Sequence, residues 1–253
     1  MTTALLQTTY FGPVQWYQKL HRYDRCLIDG DEPYRKQSYR NRCIIAAPNG
    51  PQALTVPVEH NGPHSTLHAP LVRDIRISDH NAWRRVHWNA LQTAYSESPF
   101  FDYYADDIRP FFEQKFTYLL DFNEAICWTM CELLDIPAPN PKEEPTPNLI
   151  PQEEPTPIPS RREGGLATTS AETNQTPLPS GGDGGGFLPM GGDGDGIGLR
   201  DFRSVISAKH PQADPEFVPR RYWQVFGHKL GFLPNLSILD LLFCMGPEAI
   251  LYL

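Results

Sequence analysis

Three stretches of this chain carry residue types whose spacing could do chemistry. The first is Asp29-Gly30-Asp31. Two carboxylates one residue apart offer hard oxygen ligands of the kind that hold Mg or Mn against a diphosphate; the plainer reading is a polar turn after a strand. The second is Tyr34-Arg35-Lys36-Gln37-Ser38-Tyr39-Arg40-Asn41-Arg42, the most cationic segment, with aromatics between its charges. Its four basic residues could clamp a phosphate, diphosphate or carboxylate, arginine doing so through two parallel hydrogen bonds; the alternative is a solvated loop before a strand. The third is Trp83-Arg84-Arg85-Val86-His87. Positions i and i+4 share a helix face, so Trp83 and His87 would lie together, and a neutral histidine in a pocket can act as a general base. A hydrogen-bonded core histidine fits the same pattern.

Other patterns lead to less. His60, His64 and His68 stand four apart, the spacing of ligands on a helix, but Gly62-Pro63 and Pro70 forbid that helix and with it a zinc site. Gly191-Gly192-Asp193-Gly194-Asp195-Gly196 looks like a calcium repeat in too few copies. The chain has no G-x-x-x-x-G-K-[ST], G-x-S-x-G or H-E-x-x-H, which disfavours the classes built on them. Apart from the alternative reading of Asp29-Gly30-Asp31, the residues point to no metal site, and they name no cofactor.

The elements that must position these residues can be read from composition and periodicity. The chain has 253 residues, 40% of them hydrophobic, enough for a packed core. With 22 Lys+Arg against 30 Asp+Glu it lacks the clustered positive charge of a general nucleic-acid binder. Nothing reaches the ~20 apolar residues of a membrane span, and Met1-Thr2-Thr3-Ala4-Leu5-Leu6 lacks the basic start of a signal peptide. Five cysteines, an odd number without a C-x-x-C pair, read as buried thiols in a reducing compartment, so a cytoplasmic location is expected.

Residues 4–11 read as a strand, 13–22 as a short helix with Pro13 in its first turn, and 25–28 as a second strand. Strand, helix, strand predicts a parallel pair. Residues 43–47 and 53–58 predict a hairpin around Pro48-Asn49-Gly50-Pro51, whose flanking prolines suggest a loop longer than two residues. Residues 72–77 alternate like a half-exposed strand. A helical half follows: one helix capped by Asp79 and carrying Trp83, His87, Leu91 and Tyr95; one capped by Asp106 or Asp107, with Pro110 in its first turn; and one from the D-x-x-E pattern at Asp121 and Glu124 through Leu134. Residues 139–198 hold eleven of the 26 prolines and twelve of the 19 glycines, with two copies each of Glu-Glu-Pro-Thr-Pro and Gly-Gly-Asp-Gly. Such a stretch cannot bury enough apolar surface to offset ordering entropy. The expectation is a mixed α/β domain with a partly parallel sheet, a βαβ start and a helical second half. Residues 1–138 are its first part, 139–198 a disordered Pro/Gly-rich linker, and 199–253 a C-terminal part packing back on the same domain.

Several stretches together resemble the WbqC-like family: Gln7 with Tyr10 and Pro13; Ile28-Asp29 followed by Tyr34, Lys36, Asn41 and Arg42; Leu54-Thr55-Val56-Pro57-Val58; Trp83 to His87; Tyr95 with Pro99-Phe100-Phe101; and, most specifically, Tyr222 to Phe226 and Gly231 to Phe243, through Gly246-Pro247. Thr8 departs from the family pattern, which has Pro there. The resemblance implies a place in surface-polysaccharide (O-antigen type) biosynthesis, attaching an acyl or amino-acyl group such as glycine to a nucleotide-linked amino sugar. An amine attacking an activated carbonyl needs a base and an anion clamp. On this reading His87 is the base, Asp29 and Asp31 orient the sugar or its amine, and Lys36, Asn41 and Arg42, with Tyr34 and Trp83 beside them, bind phosphate or stabilise the oxyanion. The expected partners are a nucleotide-linked sugar and an activated acyl donor. Two other readings stay open: a metal-dependent glycosyltransferase built on Asp29-Gly30-Asp31, and a non-catalytic sugar-binding or assembly protein of the same pathway.

Overall fold

Thr2–Gln7 forms the first strand, β1, and its Ala4 and Leu6 are fully buried. Helix α1 (Val14–Arg22) returns the chain to β2 (Arg25–Asp29), which pairs with β1 in parallel, Leu5 beside Leu27 and Gln7 beside Asp29. The computed structural model describes residues 1–59, 69–139 and 198–253. The histidines at 60, 64 and 68, the glycine-rich repeat, and the expected linker apart from its end residues lie outside the described residues.

The parallel pair is as predicted, and a third strand completes it. β5 (Gly198–Asp201) pairs in parallel with the free side of β1, giving the order β2-β1-β5. A separate hairpin, β3 (Arg42–Ala47) and β4 (Gly50–Thr55), is antiparallel with Ala47 opposite Gly50. Its loop is therefore two residues, Pro48 and Asn49, shorter than expected. Gly50 takes φ 121°, open to glycine, and Pro51 is accommodated as a paired residue opposite Ala46.

Residues 72–77 are not a strand. Val72–Asp74 is a 3₁₀ turn, and Arg76 and Ile77 form only isolated bridges, to Tyr118 and Val58. The helical half follows with shifted boundaries: α2 (Trp83–Tyr95), α3 (Phe101–Ile108), α4 (Pro110–Glu113) and α5 (Leu119–Leu134). Asp79 makes no side-chain cap; its carboxylate is drawn to Arg84 and Lys115. Asp106 and Asp107 lie inside α3, which begins earlier, at Phe101, because Phe101, Tyr104 and Ile108 form its buried face. After β5 come a single turn, α6 (Gly227–Leu230), and α7 (Ile238–Met245), capped by the Ser237 hydroxyl.

The architecture is thus mixed α/β, with a small parallel sheet and a helical second half. Its core is aromatic: Tyr10, Phe11, Trp16, Tyr17, Tyr95, Phe122 and Phe243 are all at most 1% exposed. The residues after 198 are held to the first helix by a buried charge cluster. Lys19 on α1, with no exposure, pairs with Asp214 at 2.8 Å, and Gln15 donates to the same carboxylate. Among the described residues no helix is long and apolar enough to cross a membrane.

Candidate functional site

The residues singled out in the sequence fall into three neighbourhoods. The first is the carboxyl end of the parallel sheet, where ligands of open α/β sheets commonly sit. Asp29 ends β2 there and pairs with Arg203, which also engages Asp201 at the end of β5. The backbone N–H of Asp31 donates to Asp29 Oδ1 at 3.0 Å, and the Asp31 carboxylate pairs with Arg73 at 2.6 Å. The intervening glycine has a packing reason, because a β-carbon at Gly30 would lie 2.7 Å from the Leu120 side chain. Among the described residues no group of three or more His, Cys, Asp or Glu is placed to hold a metal ion.

The second neighbourhood surrounds the start of β3. The Arg42 guanidinium donates to Thr55 Oγ1 at 3.0 Å, and Asn41 Nδ2 donates to the Val56 carbonyl at 2.9 Å. Tyr34 is half-buried close by, its phenol pushed up by burial and opposed by the charges of Arg40 and Arg42. Arg40 itself is buried, forking onto the buried carboxylate of Glu32. Lys36 is exposed. The oxygens of the Thr9, Asn41 and Asn123 side chains are buried and have no hydrogen-bond partner among the described residues.

His87 belongs to this second group but lies inside the core. It is 5% exposed, its Nδ1 is 2.9 Å from the Tyr10 hydroxyl, and the rings of Trp83, Tyr10 and Phe112 surround it. Burial holds its pKa down at about 4, opposed by the Thr55 backbone. The ring is therefore neutral near pH 7, and proton exchange with a substrate would require the aromatic cage to open. Trp83 is fixed by a 3.0 Å bond from its indole N–H to the Ser78 carbonyl.

The third neighbourhood was not singled out as a site in the sequence. A cleft of about 440 Å³ opens in the C-terminal segment, lined by Arg221, Tyr222, Trp223, Gln224, His228 and Phe232 among others. Its walls are aromatic, Arg221 and His228 supply a guanidinium and an imidazole, and no carboxylate lines it. Behind the wall, and not lining the cleft, lies Asp240 in the first turn of α7, a carboxylate with no solvent exposure. Asp240 accepts from Tyr222 at 2.6 Å, Gln224 at 2.9 Å and Tyr95 at 2.9 Å. Burial raises its pKa, opposed by those three donors. Gln224 also exchanges two 2.9 Å bonds with the Leu233 backbone, closing the loop that frames the cleft. The strings Tyr222–Phe226 and Gly231–Phe243 resembled a family without resembling a site; the only sequence signal was their density of aromatics.

The second and third neighbourhoods lie at opposite ends of the same two elements. Arg42 and Thr55 stand where β3 begins, whereas Ala46, near its end, donates its backbone N–H to the Tyr95 hydroxyl at 3.1 Å. On α2, His87 and Tyr95 are eight residues apart, about 12 Å at 1.5 Å per residue.

The comparisons with known proteins give this chain a family. The uncharacterized protein Rv1507c of Mycobacterium tuberculosis is 27% identical over 252 residues, covering 99% of this chain and 96% of that protein. No solved structure matches the chain. The WbqC-like protein family matches residues 7–152, more than half of the sequence, which include the second neighbourhood and, of the first, Asp29, Asp31 and Arg73 but not Asp201 or Arg203. On that match the chain belongs to the WbqC-like protein family.

Proposed function

We propose that the protein is a transferase of surface-polysaccharide biosynthesis that attaches an acyl or amino-acyl group, such as glycyl, to a nucleotide-linked amino sugar. Family membership supplies the pathway context. The observation that carries the reading is the cleft at 221–232, with aromatic walls for stacking, a guanidinium and an imidazole on its rim, and no lining carboxylate. Acyl transfer to an amine forms a C–N bond and breaks the bond from the carbonyl carbon to its leaving group. It needs an acceptor for the amine proton and a positive group facing the oxyanion or phosphate. His228 and Arg221 are residues of those two types in one accessible place, and neither step calls on a protein-bound metal.

The test is to incubate the full chain with UDP- and dTDP-linked amino sugars, each with acyl-CoA and aminoacyl-adenylate donors, and to follow the sugar nucleotide by mass. A donor-dependent mass increase on the amine, lost in Arg221→Ala and His228→Ala, supports the transferase. Sugar-nucleotide binding without turnover by any donor would favour an assembly role, and product formation that requires Mn would favour a glycosyltransferase.

A further inference from the structure

We propose that the cleft seats the nucleotide end of the substrate: a nucleoside diphosphate, its base stacked on Trp223 and its phosphates paired with Arg221. This rests on the reading of the cleft as the sugar-nucleotide site, and assigns which end of that molecule enters.

Size is the first argument. Ligand pockets commonly enclose about 300–1,000 Å³, and a cleft of about 440 Å³, in the lower part of that range, is large enough to take one end of a sugar nucleotide. Charge decides which part. The chain carries a net charge of −8, yet the groups lining this cleft are Arg221 and His228 without a carboxylate. An amino sugar whose amine is protonated is a cation, and at the cleft surface it meets ring faces but no carboxylate to pair with, beside a guanidinium that repels it. A diphosphate is an anion, and a guanidinium meets phosphate oxygens through two parallel bonds.

The aromatic arrangement agrees. Tyr222 and Phe232 pack edge to face, with centroids 5.4 Å apart at 86°, and Arg221 lies over Phe232 at 5.9 Å. Those two rings are already engaged. Trp223 is 52% exposed and has no ring partner among the described residues. An exposed indole beside a guanidinium suits a stacked base, since every base offers a π-face to an aromatic ring. The wall is rigid before any ligand arrives, because Tyr222 and Gln224 are both bonded to the buried Asp240, so little ordering cost falls on binding.

Isothermal titration of the full chain with UDP, dTDP and GDP, and separately with inorganic diphosphate and free glucosamine, tests the assignment. The expected result is binding of at least one nucleoside diphosphate, weakened tenfold or more in Arg221→Ala and in Trp223→Ala, near normal in Trp223→Phe, and weaker as salt rises. Diphosphate alone should bind more weakly and free glucosamine not measurably. Both side chains are exposed, so the variants should keep the wild-type far-ultraviolet dichroism. Nucleotide binding unchanged in the Arg221→Ala, Trp223→Ala double variant overturns the proposal, as does free glucosamine binding lost in Trp223→Ala. The same variants separate this inference from the transferase reading. If acyl transfer to the sugar nucleotide persists while the cleft does not bind nucleotide, only the assignment of the cleft fails. If nucleotide binds as described and no donor supports transfer, the assignment stands and the transferase reading fails.

Discussion

The Tyr222 hydroxyl donates a 2.6 Å hydrogen bond to Asp240, joining the wall of an open cleft to a carboxylate that water does not reach. Gln224 and Tyr95 donate to the same carboxylate, so one side chain fixes two cleft residues and the end of α2. Asp240→Ala takes the acceptor from three donors, two of them, Gln224 and Tyr95, buried. A loss of about 3 kcal/mol or more is expected, read in urea unfolding. Tyr222→Phe removes one bond and should cost about 1 kcal/mol. Equal stability of Asp240→Ala and wild type would mean that the carboxylate is not the anchor.

His87 predicts a pH dependence. Its folded pKa, about 4, lies below the ordinary value of 6.5. A depressed pKa contributes stability that is present above 6.5 and lost as pH falls toward 4, because the unfolded chain binds the proton first. The size is on the order of 3 kcal/mol. The wild type should lose stability between pH 7 and pH 4.5 more steeply than His87→Asn, and the difference between their unfolding curves isolates this group from the other buried acids. Parallel curves would place the imidazole in contact with solvent and revive it as a base.

Two ion pairs should behave oppositely. Lys19 and Asp214 are 0% and 3% exposed. Removing one partner of a buried pair costs about 3–5 kcal/mol, so Lys19→Ala should lower the melting temperature by roughly ten degrees for a chain of this size. Arg73 and Asp31 are about half exposed, and Arg73→Ala should cost at most about 1 kcal/mol. Thermal melts of the two variants side by side check both.

Gly246 closes α7 at φ 55°, and a β-carbon there would meet the ring of Phe100 at 2.6 Å. Gly246→Ala therefore combines left-handed strain with a clash against a bulky ring. A loss of about 2–4 kcal/mol is expected in denaturant unfolding, whereas Gly198→Ala, with open space around it, should be near neutral.

Local pattern made much of the fold legible. The apolar run at 4–6 and the spacing of Val14, Tyr17 and Leu20 gave the βαβ start, because burial against one face imposes a period that the residues themselves display. Trp83, His87, Leu91 and Tyr95 gave α2 for the same reason. Boundaries were less legible where charge competed with capping: Asp79 is bound to Arg84 and Lys115, contacts that lie outside the helix-start pattern. Val72, Ile75 and Ile77 alternate, and all three are buried, but as a 3₁₀ turn and isolated bridges; alternation reports which side chains face inward, whatever the backbone does.

By itself, then, the sequence determined the class of the fold and the residue types available for chemistry, since these follow from composition, periodicity and short motifs, and its resemblance to known sequences gave the family. Only the tertiary structure decided that β5 joins β1, that Lys19 meets Asp214, that His87 sits inside an aromatic cage, and that Asp240 anchors the cleft through Tyr222 and Tyr95. Each is a contact between residues far apart in the chain, Lys19 and Asp214 being 195 positions distant and Tyr95 and Asp240 145. A pattern within one segment states that a face will be buried; which distant group buries it depends on how the elements pack.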